Sequence, residues 1–188
     1  MEVSSGRSRG VEGGDYQELG FGAILRECES GNERRKIMEK NIPEGMTFGR
    51  LNQIGVVVKD LDKTIERLTA LGLGPFKKRK LPEDNVEFYR GKPFKPNEAV
   101  INAHGELGGV DLELIQPIGP SPHKEYLDEK GEGIQHLGFH VDNVVEATKR
   151  ITDKGGVTVL LTSKTREGGG VAYLDIGASG LIFELRQH

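Results

Sequence analysis

The sequence predicts an α+β fold made of two tandem βαβββ modules behind an N-terminal extension, and three observations carry that prediction. A strand-to-helix unit that opens with "LNQIGVVV" returns 83 residues later as "IQHLGFHV". An apolar strand interrupted by a carboxylate occurs twice, as "VDLELIQ" and as "LIFELRQ". The first 47 residues share neither pattern.

In chain order, residues 1–47 begin "MEVSSGRSRGVEGGD", a mixture of Gly, Ser and charge without an apolar period, which reads as a flexible arm. Inside it "GNERRKIMEKN" is compatible with a short helix. Residues 48–188 form the domain, with module 1 at about 48–120 and module 2 at about 131–188. In module 1 the β-branched run to Val58 is a strand; Asp60 caps a helix whose Leu61, Ile65 and Leu68 share a face, and Gly72 closes it. In module 2 the equivalent strand ends at Val141, Asn143 is the cap, and Val144, Thr148 and Ile151 continue the helical face. Under the offset of 83, Gly55 meets Gly138, Val58 meets Val141, Arg67 meets Arg150 and Gly72 meets Gly155. The carboxylate strands match at an offset of 71, so module 1 carries 12 additional residues. They are expected in a loop over 77–97, where "LPEDNVEFYRGKPFKPN" is rich in Pro and charge.

Composition limits the partners. The 188 residues carry a net charge of −3 and no broad basic face, which argues against nucleic acid; "FKKRK" at 76–80 reads as a solvated segment. A single cysteine, Cys28, excludes an intrachain disulfide and a Cys-rich metal site, and fits a reducing compartment. No stretch approaches the roughly 18 apolar residues of a membrane span, and the N-terminus lacks a secretory pattern. The expectation is a soluble, cytoplasmic protein with neither membrane nor nucleic-acid partners.

Strand alternation sorts the polar groups by face. Gln53 and Gly55 share one side of the first strand, and His136, Gly138 and His140 share the matching side of its repeat. Glu113 and Glu184 face away from their flanking leucines. Each module therefore offers a pair on one sheet face, Gln53 with Glu113 and His136 with Glu184. Taken singly, each reads as an ordinary polar residue; their coincidence under the duplication singles them out. Two carboxylates brought together without a cation repel each other and lose hydration. One imidazole, one amide oxygen and two carboxylates instead suit a divalent metal with open positions for water or substrate. The prediction is a cleft holding one divalent ion on Gln53, Glu113, His136 and Glu184, with Gly55 and Gly138 either keeping the space beside it open or serving close packing against a neighbouring strand.

These residues carry a resemblance. "LNQIGVVVKDLDKTIE", "VDLELIQPIGPSPHKEYLDEKGEGIQHLGFHVDNV" and "GGGVAYLDIGASGLIFELRQ" resemble the vicinal oxygen chelate superfamily, and within it the methylmalonyl-CoA epimerase and glyoxalase-like branch. The resemblance covers Leu51 to Gln187. It implies the same four metal ligands, with one departure: epimerases of the branch commonly have histidine where Gln53 stands, while glutamine is the ligand in the zinc type of glyoxalase I. That departure leaves the metal open among Co, Mn, Ni, Zn and Fe. Glyoxalase I itself usually has an arginine four residues after the first ligand, where this chain has Val57. Extradiol dioxygenases of the superfamily use two histidines and a glutamate, and this set has one histidine.

What the resemblance implies about activity is enolate chemistry: a carbonyl held on a metal, with a carboxylate removing the neighbouring proton. The expected function is epimerisation of a 2-methyl-branched acyl-CoA by a homodimer. Glu184 would serve as both ligand and base, Glu98 in "NEAVINAH" as the second acid/base, and His140 as a substrate contact. Arg186 shares a strand face with Glu184, where it could bind a carboxylate or phosphate, but so near the C-terminus it reads first as a surface residue. The alternatives are a lactoylglutathione lyase-like enzyme and a non-catalytic small-molecule-binding module of the same superfamily. "REGGG" at 166–170 is a candidate pocket edge.

Overall fold

The computed structural model describes residues 48–81, 87–164, 169–177 and 180–187. The expectations for the arm at 1–47 and for residues 166–168 of the glycine-rich edge lie outside the described residues.

Module 1 opens with strand β1 (Leu51–Val57) and helix α1 (Leu61–Ala70). As expected, the Asp60 side chain accepts from the Lys63 N–H at 3.0 Å, and Gly72 ends the helix at φ +86. Strands β2 (Lys77–Arg79), β3 (Glu87–Tyr89) and β4 (Lys92–Phe94) follow, then the short helix α2 (Pro96–Ala99), β5 (Val100–Leu107) and β6 (Val110–Pro117). Helix α3 (Pro122–Lys130) leads into β7 (Gly133–His140), α4 (Val144–Thr152), β8 (Thr158–Lys164), β9 (Gly170–Asp175) and β10 (Ile182–Gln187).

The described residues form one sheet in the order β2-β5-β6-β1-β7-β10-β9-β8-β3-β4. Without the β3–β4 hairpin the order reads the same from either end under the duplication: β1 pairs β6 in parallel, β7 pairs β10 in parallel, and β1 meets β7 antiparallel at the centre. The hairpin corrects the loop expected over 77–97. It adds to the far edge of module 2, pairing Glu87 to Tyr89 of β3 with Ser163 to Leu161 of β8. This connection requires curvature. Eight residues from Arg79 to Glu87 reach at most about 28 Å, whereas eight strand spacings in a flat sheet come to about 38 Å.

Helices α1 and α4 pack on the same side of the sheet. Leu61 of α1 joins Val58, Ala103 and Leu114; Val144, Ala147 and Ile151 of α4 join Val141, Ala172, Leu174 and Leu185. The repeated glutamine after each carboxylate ties helix to sheet. Gln116 Oε1 accepts from the Leu61 N–H at 2.7 Å and Gln187 Oε1 from the Val144 N–H at 2.9 Å, each satisfying a donor that a helix start leaves open. No helix among the described residues is long and apolar enough to cross a membrane.

Candidate metal centre

The face opposite α1 and α4 carries the polar groups, on the four central strands, and His123 of α3 packs near His136 on that face. Register explains how they meet. Gly55 lies between Glu113 of β6 and His136 of β7, and Gly138 lies between Gln53 of β1 and Glu184 of β10. Each pair of side chains closes over a glycine. A Cβ built on Gly55 would lie 1.9 Å from His136 Cε1, and one on Gly138 would lie 3.1 Å from Gln53 Oε1 and 3.2 Å from Glu184 Oε2.

His136 Nε2 stands 3.6 Å from Glu113 Oε2 and 3.6 Å from Glu184 Oε2. Gln53, His136 and Glu184 are buried, and Gln53 Oε1, His136 Nε2 and Glu184 Oε2 have no hydrogen-bond partner. Their orientation is set from behind. Gln53 Nε2 donates to Asp111 Oδ2 at 3.0 Å, which turns the amide oxygen inward. Gln135 Nε2 donates to the Pro122 carbonyl at 3.1 Å, so Gln135 Oε1 faces the Nδ1 atoms of His123 at 2.6 Å and His136 at 3.2 Å. An amide oxygen only accepts, so His136 Nδ1 carries a proton, and in its neutral form the ring offers the Nε2 lone pair to the cluster. Glu113 Oε1 accepts from Asn102 Nδ2 at 2.7 Å.

Lone pairs from Gln53, Glu113, His136 and Glu184 converge while the amide N–H groups point outward, a donor set whose chemistry suits a cation. Two donors each about 2.1 Å from one ion stand about 3.6 Å apart when they subtend about 120°. As it stands, no group of three or more His, Cys, Asp or Glu side chains among the described residues has a metal-holding arrangement. The fit therefore rests on these orphaned acceptors and the amide oxygen beside them.

The two carboxylates differ. Burial pushes Glu113 up, but the neighbouring His136, together with His104 and Arg186, outweighs it and holds the carboxyl well below the usual range. Burial also raises Glu184; Arg186 and His136 oppose that, Glu113 and Asp111 reinforce it, and the net shift is upward. Burial acts against charge on His104, yet its hydrogen bond to Asp111 and the Glu113 charge leave its pKa raised. Burial, then the charge on His136, lowers His123 to about 4.

A sequence profile of the Glyoxalase/Bleomycin resistance protein/Dioxygenase superfamily matches residues 52–173, more than half of the chain. The chain belongs to this superfamily. The uncharacterized protein YqjC of Bacillus subtilis (strain 168) is 28% identical over 111 residues, covering 57% of this chain and 68% of that one. Among solved structures, methylmalonyl-CoA epimerase from Mycobacterium tuberculosis aligns with a TM-score of 0.59 at 20% identity, over 79% of this chain and 93% of its own. A methylmalonyl-CoA epimerase in complex with methylmalonyl-CoA and NH4+ aligns with a TM-score of 0.57 at 26% identity, over 74% of this chain and 94% of that one. The curled sheet of paired modules is the fold these superfamily members share.

Gln53, Glu113, His136 and Glu184 are thus brought together on one face. Glu98 is not brought to them: it lies on α2, exposed, 2.9 Å from Lys95. Helix α2 runs to Ala99, so the strand expected to present Glu98 begins only at Val100. His140 sits half-buried at the end of β7, opposite Arg186 in the parallel pairing. Arg186, expected at the surface, is buried, because β10 is an inner strand flanked by β7 and β9.

Sequence reading also missed Asn102, His104 and Asp111. The Gly108-Gly109 pair between two apolar strands is a two-residue hairpin signal. Counting back from it pairs Leu107 with Val110 and His104 with Glu113, as observed. Helix α3 was missed too, although Ser121-Pro122 is a cap followed by proline at the first helical position.

Proposed function

We propose that the protein is a metal-dependent epimerase acting at the carbon next to a thioester carbonyl, with a 2-methyl-branched acyl-CoA of the methylmalonyl type as substrate. The observation that carries this reading is the convergence of four acceptors, Gln53 Oε1, Glu113, His136 Nε2 and Glu184 Oε2, with their hydrogen-bond donors turned away. The likeness, at 26% identity, to a methylmalonyl-CoA epimerase in complex with methylmalonyl-CoA supports the substrate class.

Gln53, Glu113, His136 and Glu184 would hold one divalent ion. When bound, it supplies positive charge that makes a proton beside a carbonyl removable near neutral pH. The chain's own residues divide the remaining work. Asn102 fixes Glu113, Asp111 fixes the Gln53 amide, and Gln135 fixes the His136 ring. Glu184, whose Oε2 has no hydrogen bond to hold it and which would leave the ion during turnover, takes the proton from C2 of the acyl group. Epimerisation needs a proton returned from the other side, and under this reading that step falls to His104, whose Nδ1 lies 2.8 Å from Asp111 and whose Nε2, without a hydrogen bond, lies 3.5 Å from Glu113 Oε1. His104 takes the role expected of Glu98.

The test is exchange at C2 of methylmalonyl-CoA in D2O, with chelator-treated and metal-reloaded protein. The proposal expects deuterium incorporation only after reloading. Metal-loaded protein that leaves C2 unexchanged while converting a hemithioacetal would replace the epimerase by the lyase alternative.

A further inference from the structure

Arg186 is unused by the chemistry above, yet it stands beside the cluster. It follows Glu184 by two residues on an inner strand, so it faces the same side, and it is only 9% exposed. Its guanidinium lies between two carboxylates without bonding either: Nη1 is 3.7 Å from Asp111 Oδ2 and Nε is 3.9 Å from Glu184 Oε2. Both separations exceed hydrogen-bond reach, and Nε has no partner.

The nearest oxygen of each neighbour is already directed elsewhere. Asp111 Oδ2 already accepts from Gln53 Nε2 at 3.0 Å and His104 Nδ1 at 2.8 Å. Glu184 Oε2 is turned toward His136 as one of the four converging acceptors. A buried guanidinium whose Nε lacks an acceptor, beside the four-acceptor cluster, matches the two oxygens of a carboxylate.

We infer that Arg186 determines specificity by pairing with a carboxylate on the carbon where Glu184 acts, so that 2-carboxyacyl thioesters are favoured over neutral branched thioesters. This rests on the proposed reading of the site. It goes beyond that reading by giving the preference to one side chain, and it separates the substrate from hemithioacetals, which present no carboxylate there.

The experiment compares metal-loaded wild type, Arg186→Gln and Arg186→Lys by calorimetric titration with methylmalonyl-CoA and with 2-methylpropanoyl-CoA, which has a methyl group in place of the carboxylate. Metal content is measured on the same samples. The wild type is expected to bind methylmalonyl-CoA at least tenfold more tightly than the neutral thioester. Arg186→Gln should lose that margin without change toward the neutral thioester or in metal content, and Arg186→Lys should keep part of it. Equal affinity of metal-loaded wild type for the two thioesters would overturn the inference alone, as would an undiminished margin in Arg186→Gln. Wild type that takes up no metal would overturn the underlying reading and the inference with it.

Discussion

The two halves of the site present the same carboxylate at the same place in equivalent strands, and they treat it oppositely. In module 1, Glu113 is clamped by Asn102 at 2.7 Å, with His104 Nε2 at 3.5 Å from the same oxygen. In module 2, the position across from Glu184 is Tyr173, and Glu184 Oε2 has no hydrogen bond. The register is equivalent, since His104 faces Glu113 as Tyr173 faces Glu184. Duplication supplied the pair of acids, and divergence of one flanking strand separated their surroundings: one carboxylate is held by an amide donor, and the other has an Oε2 without a hydrogen bond.

The largest expected effect breaks that division directly. Glu184→Gln keeps an oxygen ligand and loses the base, so C2 exchange should fall about 10³-fold with metal content unchanged, whereas Glu113→Ala should lose the metal. If both variants lost metal alike, the two acids would be equivalent and the comparison wrong.

The paired glycines should also separate. Gly55→Ala puts a methyl group 1.9 Å from the buried His136 ring, while at Gly138 the nearest atom is Gln53 Cβ at 2.8 Å. Gly55→Ala is expected to destabilise by about 3 kcal/mol and Gly138→Ala by about 1 kcal/mol, read from denaturant midpoints of the metal-free proteins.

Acid should act on the two flanking histidines with opposite sign. His123 is depressed from 6.5 to about 4. Its contribution, on the order of 3 kcal/mol, is fully present above the unfolded value and is lost as pH falls from there to about 4. His104 is raised, so its contribution is complete below the unfolded value and fades as pH rises through the folded one. In the metal-free protein, His123→Gln should flatten the acid limb, and an unchanged limb would mean that His123 is not buried neutral.

Smaller effects sharpen the picture. Asn102→Ala should weaken metal binding about 10- to 100-fold in a cobalt titration. Gln116→Ala and Gln187→Ala should each cost about 1 kcal/mol in thermal unfolding, because both cap a first helical N–H in the same way.

These contrasts also mark what the sequence made legible. The duplication, the helix caps and the common face of Gln53, Glu113, His136 and Glu184 follow from period and offset, which depend on local pattern. Glu98 failed because its place depended on where α2 ends, a boundary that pattern leaves loose, while the Gly108-Gly109 hairpin held the correct register. Gln135 escaped for another reason. It lies in a bulge between the pairs Gly55–His136 and Val56–Ile134, so strict alternation breaks where it meets the His136 ring. Arg186 was read from its nearness to the chain end, but burial follows strand order, and β10 lies inside the sheet.

The most direct test of the four-acceptor site is cobalt uptake by chelator-treated protein, measured by elemental analysis after desalting, with Glu113→Ala beside the wild type and circular dichroism confirming that both are folded. The account predicts about one ion per chain in the wild type and none in the variant. A folded wild type that retains no cobalt, zinc, manganese, nickel or iron would contradict it.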